Sequence, residues 1–234
     1  MLKKKCLFFI CLFALLGSGT IFGQIKKPKT ISKNDNKIAL HFGFREFEGE
    51  ADAKYKNFGQ RLTPWYSFSY SKQLLRAAGV RVSLGGFFMK GYVREDAAKL
   101  FYASDGVGFV TGIPYDADCN LGNGWYKQDI AYIDAGLFWW VSLRDFFSPG
   151  STSKFNVRPE FGFAYTHVIE YKGMISGNFL VPTFNAIFAY ELNKKFELQL
   201  GLNAALTPNG FNGEVSELRY NGYWGFNLGI AHTF

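Results

Sequence analysis

The chain has 234 residues, a length that suits one domain, with 26 Lys and Arg against 19 Asp and Glu, a formal net charge of +7 and three cysteines. Lysines 3, 4 and 5 and cysteines 6 and 11 fall at the front, and five more lysines, at 26, 27, 29, 33 and 37, follow soon after. The remaining body is near neutral, which gives a nucleic-acid partner no support, and its single cysteine, Cys119, excludes an internal disulfide.

Residues 1–23 read MLKKKCLFFICLFALLGSGTIFG. A basic head, an apolar run over 6–16 and small residues after it predict a secretory signal peptide, with a core too short to span a membrane. Cleavage is expected near Gly23, or alternatively near Gly19. Residues 24–36 form a polar tail, and residues 37–234 form the domain.

From Lys37 onward the apolar positions recur at every second residue. Eight segments carry this period: 37–45, 63–72, 80–89, 129–143, 155–166, 179–192, 196–206 and 223–234. Period two predicts strands, and no stretch shows the 3.6 period of a helix. Long connections, 46–62, 90–128, 167–178 and 207–222, alternate with short ones, 73–79, 144–154 and 193–195. An even strand count with long loops at one end and short turns at the other is the layout of an antiparallel transmembrane β-barrel.

Alternation alone does not say which face is inside. Gly43, Gly85, Gly136, Gly162, Gly201, Gly225 and Gly229 all fall on the polar face, where a small barrel crowds its interior. On the apolar face, Tyr70, Phe155, Tyr190, Phe196 and Phe234 fall near the short turns, and Phe44, Tyr66, Phe88, Tyr165 and Trp224 near the long loops. Two aromatic girdles place the apolar face in lipid. Pro159 and Pro182 lie inside strands, where either bulges or a different register is expected.

The chain closes on YWGFNLGIAHTF, with Phe226, Leu228, Ile230 and Phe234 on one face. This stretch resembles the C-terminal assembly signal of bacterial outer-membrane proteins. The domain as a whole resembles the small outer-membrane β-barrel families of the OmpA-domain, OmpX and OmpW type. That resemblance implies an all-β, eight-stranded up-and-down barrel in a Gram-negative outer membrane. The implied partners are outer-membrane lipid, lipopolysaccharide and, during insertion, the barrel-assembly machinery.

Parity sends His41, Arg45, Arg81, Asp134, Arg158, Glu160, Glu191, Glu197 and Gln199 inward. Buried charges must pair, so His41, Arg81, Asp134, Arg158, Glu160 and Glu197 are expected to form a polar network that fills the lumen. Three functions follow: a non-enzymatic envelope or surface-binding protein, a narrow channel for small or apolar solutes, or a lipid A-modifying enzyme. None of the three histidines has Ser two residues on, and no G-x-S-x-G elbow occurs in the processed chain. An inward contact of His41 with Ser67 or Ser69 is the remaining catalytic possibility.

Asp116, Asp118 and Asn120 are spaced as in a calcium loop, but Leu121 and Lys127 stand where the glycine and the final glutamate belong. No cofactor is implied. The 90–128 loop carries Tyr92, Phe101, Tyr102, Phe109, Tyr115 and Trp125, which suggests an ordered segment that folds over the barrel mouth or presents an aromatic surface to an extracellular ligand, glycan or protein.

Overall fold

The computed structural model describes residues 36–49, 58–97, 100–102, 109–111, 113–114, 117–169, 177–208, 211–212 and 220–234. The expected signal peptide and almost all of the tail lie outside them. Eight long strands follow in chain order: β1 (Asn36–Glu48), β2 (Thr63–Leu75), β3 (Ala78–Arg94), β4 (Trp125–Val141), β5 (Phe155–Val168), β6 (Gly177–Glu191), β7 (Phe196–Pro208) and β8 (Tyr220–Thr233). Each pairs antiparallel with its neighbours, β3 pairs with β4, and β1 meets β8 from Lys37↔Thr233 to Glu48↔Gly222. The result is a closed eight-stranded antiparallel barrel in meander order. Closure leaves no open edge, the condition for strands to exist in lipid.

The faces follow the sequence parity. Leu40, Leu84, Leu180 and Leu228 point outward and are 59–66% exposed. Ser69, Arg81, Glu160 and Asn227 point inward and are buried. An apolar outer wall around a polar interior is the reverse of a soluble barrel, and it is stable only against an apolar solvent. On β8, β1, β2 and β3 the outer rings Phe226, Phe44, Phe42, Tyr66, Phe87 and Phe88 touch in sequence, with centroids 4.9–5.8 Å apart.

Several boundaries differ from the sequence reading. The first strand begins at Asn36, one residue inside the expected tail. The 90–128 loop is shorter than expected, because β3 continues to Arg94 and β4 starts at Trp125. That hairpin outruns its neighbours: β2 pairs with β3 only as far as Phe87, and β5 with β4 only as far as Tyr132. The 144–154 connection holds a short helix, α2 (Leu143–Phe147), capped by the Ser142 hydroxyl on Asp145 N. A shorter turn, α1 (Phe58–Arg61), precedes β2.

The expected bulges at Pro159 and Pro182 are absent, since both pair in unbroken register. Each lies one residue beyond the end of a ladder. The β4–β5 ladder stops at Glu160, and the β6–β7 ladder stops at Thr183. Pro64 stands likewise beside the last β2–β3 pair, Trp65↔Phe87. A residue without an N–H is tolerated where one neighbour has already left the sheet.

Glycine notches set the tightness of the wall. Gly229 of β8 lies between His41 of β1 and Gln199 of β7. His41 Nε2 and Gln199 Oε1 meet over it at 2.7 Å. A Cβ on Gly229 would overlap the His41 ring. Glycine on the middle strand therefore lets the two flanking strands bond directly.

Candidate functional site

The lumen is the site that the sequence marks out, and it divides into layers. Nearest the turn end, Glu197 accepts from Lys37 Nζ at 2.8 Å, from Arg158 Nη2, and from Gln199 Nε2 at 2.6 Å. Gln199 in turn accepts from His41. Beside this group, Arg81 Nε donates to Glu160 at 2.9 Å, and the Arg81 guanidinium carbon lies 4.6 Å from the Phe138 ring centre. Asn185 also donates to Glu160 at 3.3 Å. Arg158 and Glu160 are thus near in sequence but belong to different pairs.

Higher in the barrel stands Asp134. It accepts from Arg45 Nη1 at 2.8 Å, and the same nitrogen lies 3.0 Å from the Tyr132 hydroxyl. The Arg45 guanidinium is sandwiched by the Trp65 and Tyr223 rings, at 3.9 and 4.7 Å. Cation–π contacts of this kind support a buried guanidinium whose carboxylate partner satisfies only part of it. So the six predicted lumen residues are all interior, but they form separate groups rather than one network. Arg158 meets Glu197, and His41 joins them through Gln199; Arg81 meets Glu160; Asp134 meets Arg45. The Cα register pairs His41 with Ser67, yet neither Ser67 Oγ nor Ser69 Oγ bonds it. No nucleophile–base contact exists there.

Glu191 was expected inward. It sits at the rim, where its carboxylate accepts from Arg144 Nη1 at 2.7 Å. Burial works against the Arg144 charge, but the Glu191 hydrogen bond and the Asp145 carboxylate raise its pKa above the ordinary value.

Above the Arg45 layer the interior changes character. Phe47, Met89, Ile130, Val168, Val181 and Phe211 are fully buried and pack with Tyr132 and Tyr223. Phe47 and Phe211 stack at 5.6 Å. The overlong β3–β4 hairpin supplies Met89 and Ile130, and Gln128 Nε2 ties it to Asn212 O at 2.7 Å. An apolar lid therefore lies across the loop end. The sequence carried its signal: inward parity, continued one pair past the polar positions, gives Phe47, Met89, Ile130, Val168, Val181 and Tyr223. Ending the first segment at Arg45 and the fifth at Thr166 left Phe47 and Val168 out of it.

Phe87 marks the boundary between the layers. By parity it should point inward, opposite Tyr132. Instead its φ is +145°, following Gly86 at +143°, and its side chain is 48% exposed beside Tyr66 and Phe88. Positive φ is a strained state for a bulky residue, costing about 1–3 kcal/mol. The Cα partners of Phe87 are Trp65 and Tyr132, both buried beside the Arg45 guanidinium.

A cavity of about 10 Å³, lined by Lys37, Ser69, Arg81, Arg158, Glu160 and Gln199 among others, holds about one water.

The loop candidates fare differently. Tyr92 is 5% exposed and lies within β3, so it belongs to no exposed aromatic surface. The Trp125 ring centre lies 5.8 Å from the Arg94 guanidinium. Leu100–Tyr102 pairs with Phe109–Thr111, and Tyr115 lies outside the described residues. Asp116 also lies outside them. Asp118 is exposed, and Asn120 uses its carboxamide to close a turn on Gly122 N at 2.8 Å. Among the described residues no group of three metal-ligating side chains converges. Cys119 is 3% exposed. It is expected to resist a maleimide in the folded protein and to react fully after unfolding; equal rates in both states would contradict that burial.

Phe226, Leu228, Ile230 and Phe234 project outward from β8 and are 36–63% exposed. Phe234 N donates to Asn36 O at 3.0 Å, so the ladder with β1 continues to the last residue.

No family model matches the chain, and no curated protein matches it. Solved structures do. The outer membrane protein OprG from Pseudomonas aeruginosa aligns over 86% of this chain and 97% of its own, at 11% identity and a TM-score of 0.50. The N-terminal β-barrel domain of Pseudomonas aeruginosa OprF aligns over 86% and 100%, at 11% identity and 0.46. The attachment invasion locus protein Ail of Yersinia pestis, solved with a heparin analogue, aligns over 86% and 99%, at 10% identity and 0.46. The fold is that of the small outer-membrane β-barrels.

Proposed function

We propose that the chain is exported by its N-terminal signal peptide and inserted into a Gram-negative outer membrane as a closed, non-conducting barrel. There it supports the envelope and offers its long loops, on the cell-surface side, for binding. The observation that carries this reading is the double seal. Ion-paired side chains occupy the lumen toward the turns, and an apolar lid crosses it toward the loops. A conduit would have to dismantle both. The outward residues Phe226, Leu228, Ile230 and Phe234 suit recognition by the assembly machinery. Lipopolysaccharide is the expected neighbour of the loop-end girdle. Fold likeness alone assigns no activity.

The test is conductance. The refolded barrel in a planar bilayer is expected to be silent, and so is a variant with Arg81→Ala and Glu160→Ala. That variant removes a complete pair but leaves the lid in place. Discrete current steps from the wild type would overturn the closed-barrel reading. Steps from the variant alone would show that the pair, and not the lid, is the seal. Deleting the gene should leave the lipid A mass spectrum unchanged; an altered spectrum would make this an enzyme.

A further inference from the structure

Among the described residues, the turn end of the barrel gathers cations that no acid answers. Lys72, Arg76, Lys154, Lys194 and Lys195 are exposed there. The acidic side chains described at this end are Asp145, Glu191 and Glu197, and all are engaged elsewhere. Asp145 and Glu191 bind Arg144, while Glu197 binds Lys37 and Arg158. Among the described residues no other acidic side chain at this end is set against these five positive charges. Among the described residues the loop end differs: Arg61, Arg94 and Lys127 each face an acid, and Lys90 alone has no ion pair.

The same end exposes large apolar side chains. Leu74, Leu75 and Phe147 are 55%, 60% and 74% exposed. Phe146 packs edge-on against Phe147 at 5.0 Å. Parity places Lys72 and Leu74 on the outer face, directly below Tyr70 of the girdle. The β6–β7 turn is held by Asn193, whose side chain accepts from Lys195 N and Phe196 N, at 2.8 and 3.0 Å. Lys194 and Lys195 are therefore presented on a fixed turn rather than a loose one.

Apolar tips beside unpaired cations are poorly suited to water. They suit the boundary of a phospholipid leaflet, where rings and leucines enter the acyl region and ammonium and guanidinium groups reach the headgroups. Charge complementarity selects the headgroup. We propose that the turn end is a collar that binds anionic phospholipid, of the phosphatidylglycerol type, in the leaflet facing the short turns. This rests on the membrane-barrel reading above.

The experiment uses the processed chain refolded into phosphatidylcholine vesicles that contain spin-labelled phosphatidylglycerol or spin-labelled phosphatidylcholine. Folding and insertion are read separately, from heat-modifiable electrophoretic mobility. The immobilised fraction reports lipid at the protein surface. Wild type should favour the phosphatidylglycerol probe by roughly three- to tenfold. The preference should fall toward one in a variant carrying Lys72→Gln, Arg76→Gln, Lys154→Gln, Lys194→Gln and Lys195→Gln. A loop-end control, Lys90→Gln with Lys127→Gln, should keep it. Equal association of both probes with inserted wild type would overturn the collar while leaving the barrel reading intact. Loss of the preference in the loop-end control, or its survival in the five-site variant, would also overturn the collar. If the detergent-solubilised protein instead sediments with purified peptidoglycan and inserted protein shows no lipid preference, the cations serve the cell wall and the proposal fails. Failure to insert would strike the membrane reading itself.

Discussion

Glu197→Ala should destabilise the barrel by about 3–5 kcal/mol, the usual cost of stranding a buried charge, whereas Arg158→Ala should cost distinctly less. The asymmetry follows from who is left behind. Glu197 gathers Lys37, Arg158 and Gln199. Removing it leaves two cations unanswered, and Arg158 is 7% exposed. Removing Arg158 leaves Glu197 still held by Lys37 and Gln199. Replacing Glu197 and Arg158 together should cost less than the sum of the two single changes, because the partners share one interaction. Unfolding in guanidinium from lipid vesicles, followed by tryptophan fluorescence, measures all three. Equal costs for the two single variants would mean that Lys37 and Gln199 do not compensate.

The second large effect is steric. Gly162→Ala should abolish or severely impair folding, a loss of about 3 kcal/mol or more. A Cβ at this position would overlap the Leu137 carbonyl oxygen and lie 2.7 Å from Phe138 Cα. Both are backbone atoms of the adjacent strand and cannot rotate away. Gly150 makes a fair control. It lies in the β5 approach with φ +82° and nothing within 4 Å of an added Cβ, so alanine there should cost only about 1 kcal/mol of backbone strain. The yield of heat-modifiable folded protein after refolding separates the two. A normal yield from Gly162→Ala would mean that the wall is looser than the register implies.

Much of the barrel was legible because period two is written directly in the side chains. Strand order followed from the even count and the alternation of long with short connections, and the sign of the faces needed only glycine on one side and aromatics on the other. Partner choice was not legible. Parity says that Arg158 and Glu160 point inward, but not at what height each meets a residue from across the lumen. Arg158 reaches β7 and Glu160 meets β3, so neighbours in sequence serve different partners. The lid was missed because its strands change sense: the rule of polar inside stops at Arg45, and an ordinary apolar core begins at Phe47. Phe87 was missed because no alternation forecasts a residue turned outward by positive φ.

The notch at Gly229 has a consequence for how such a wall can change. His41 and Gln199 bond across a strand that contributes nothing but backbone. Strands β1 and β7 are not adjacent, yet they share a contact, and the space for it is set by β8. Pairwise thinking about adjacent strands would assign compensation to the wrong place. An enlarged residue on one strand is accommodated two strands away, by a reduction on the far side of the glycine. Variation in this interior should therefore move in triplets, with correlated changes skipping a strand, and redesign of the lumen would have to follow the same three-strand grammar.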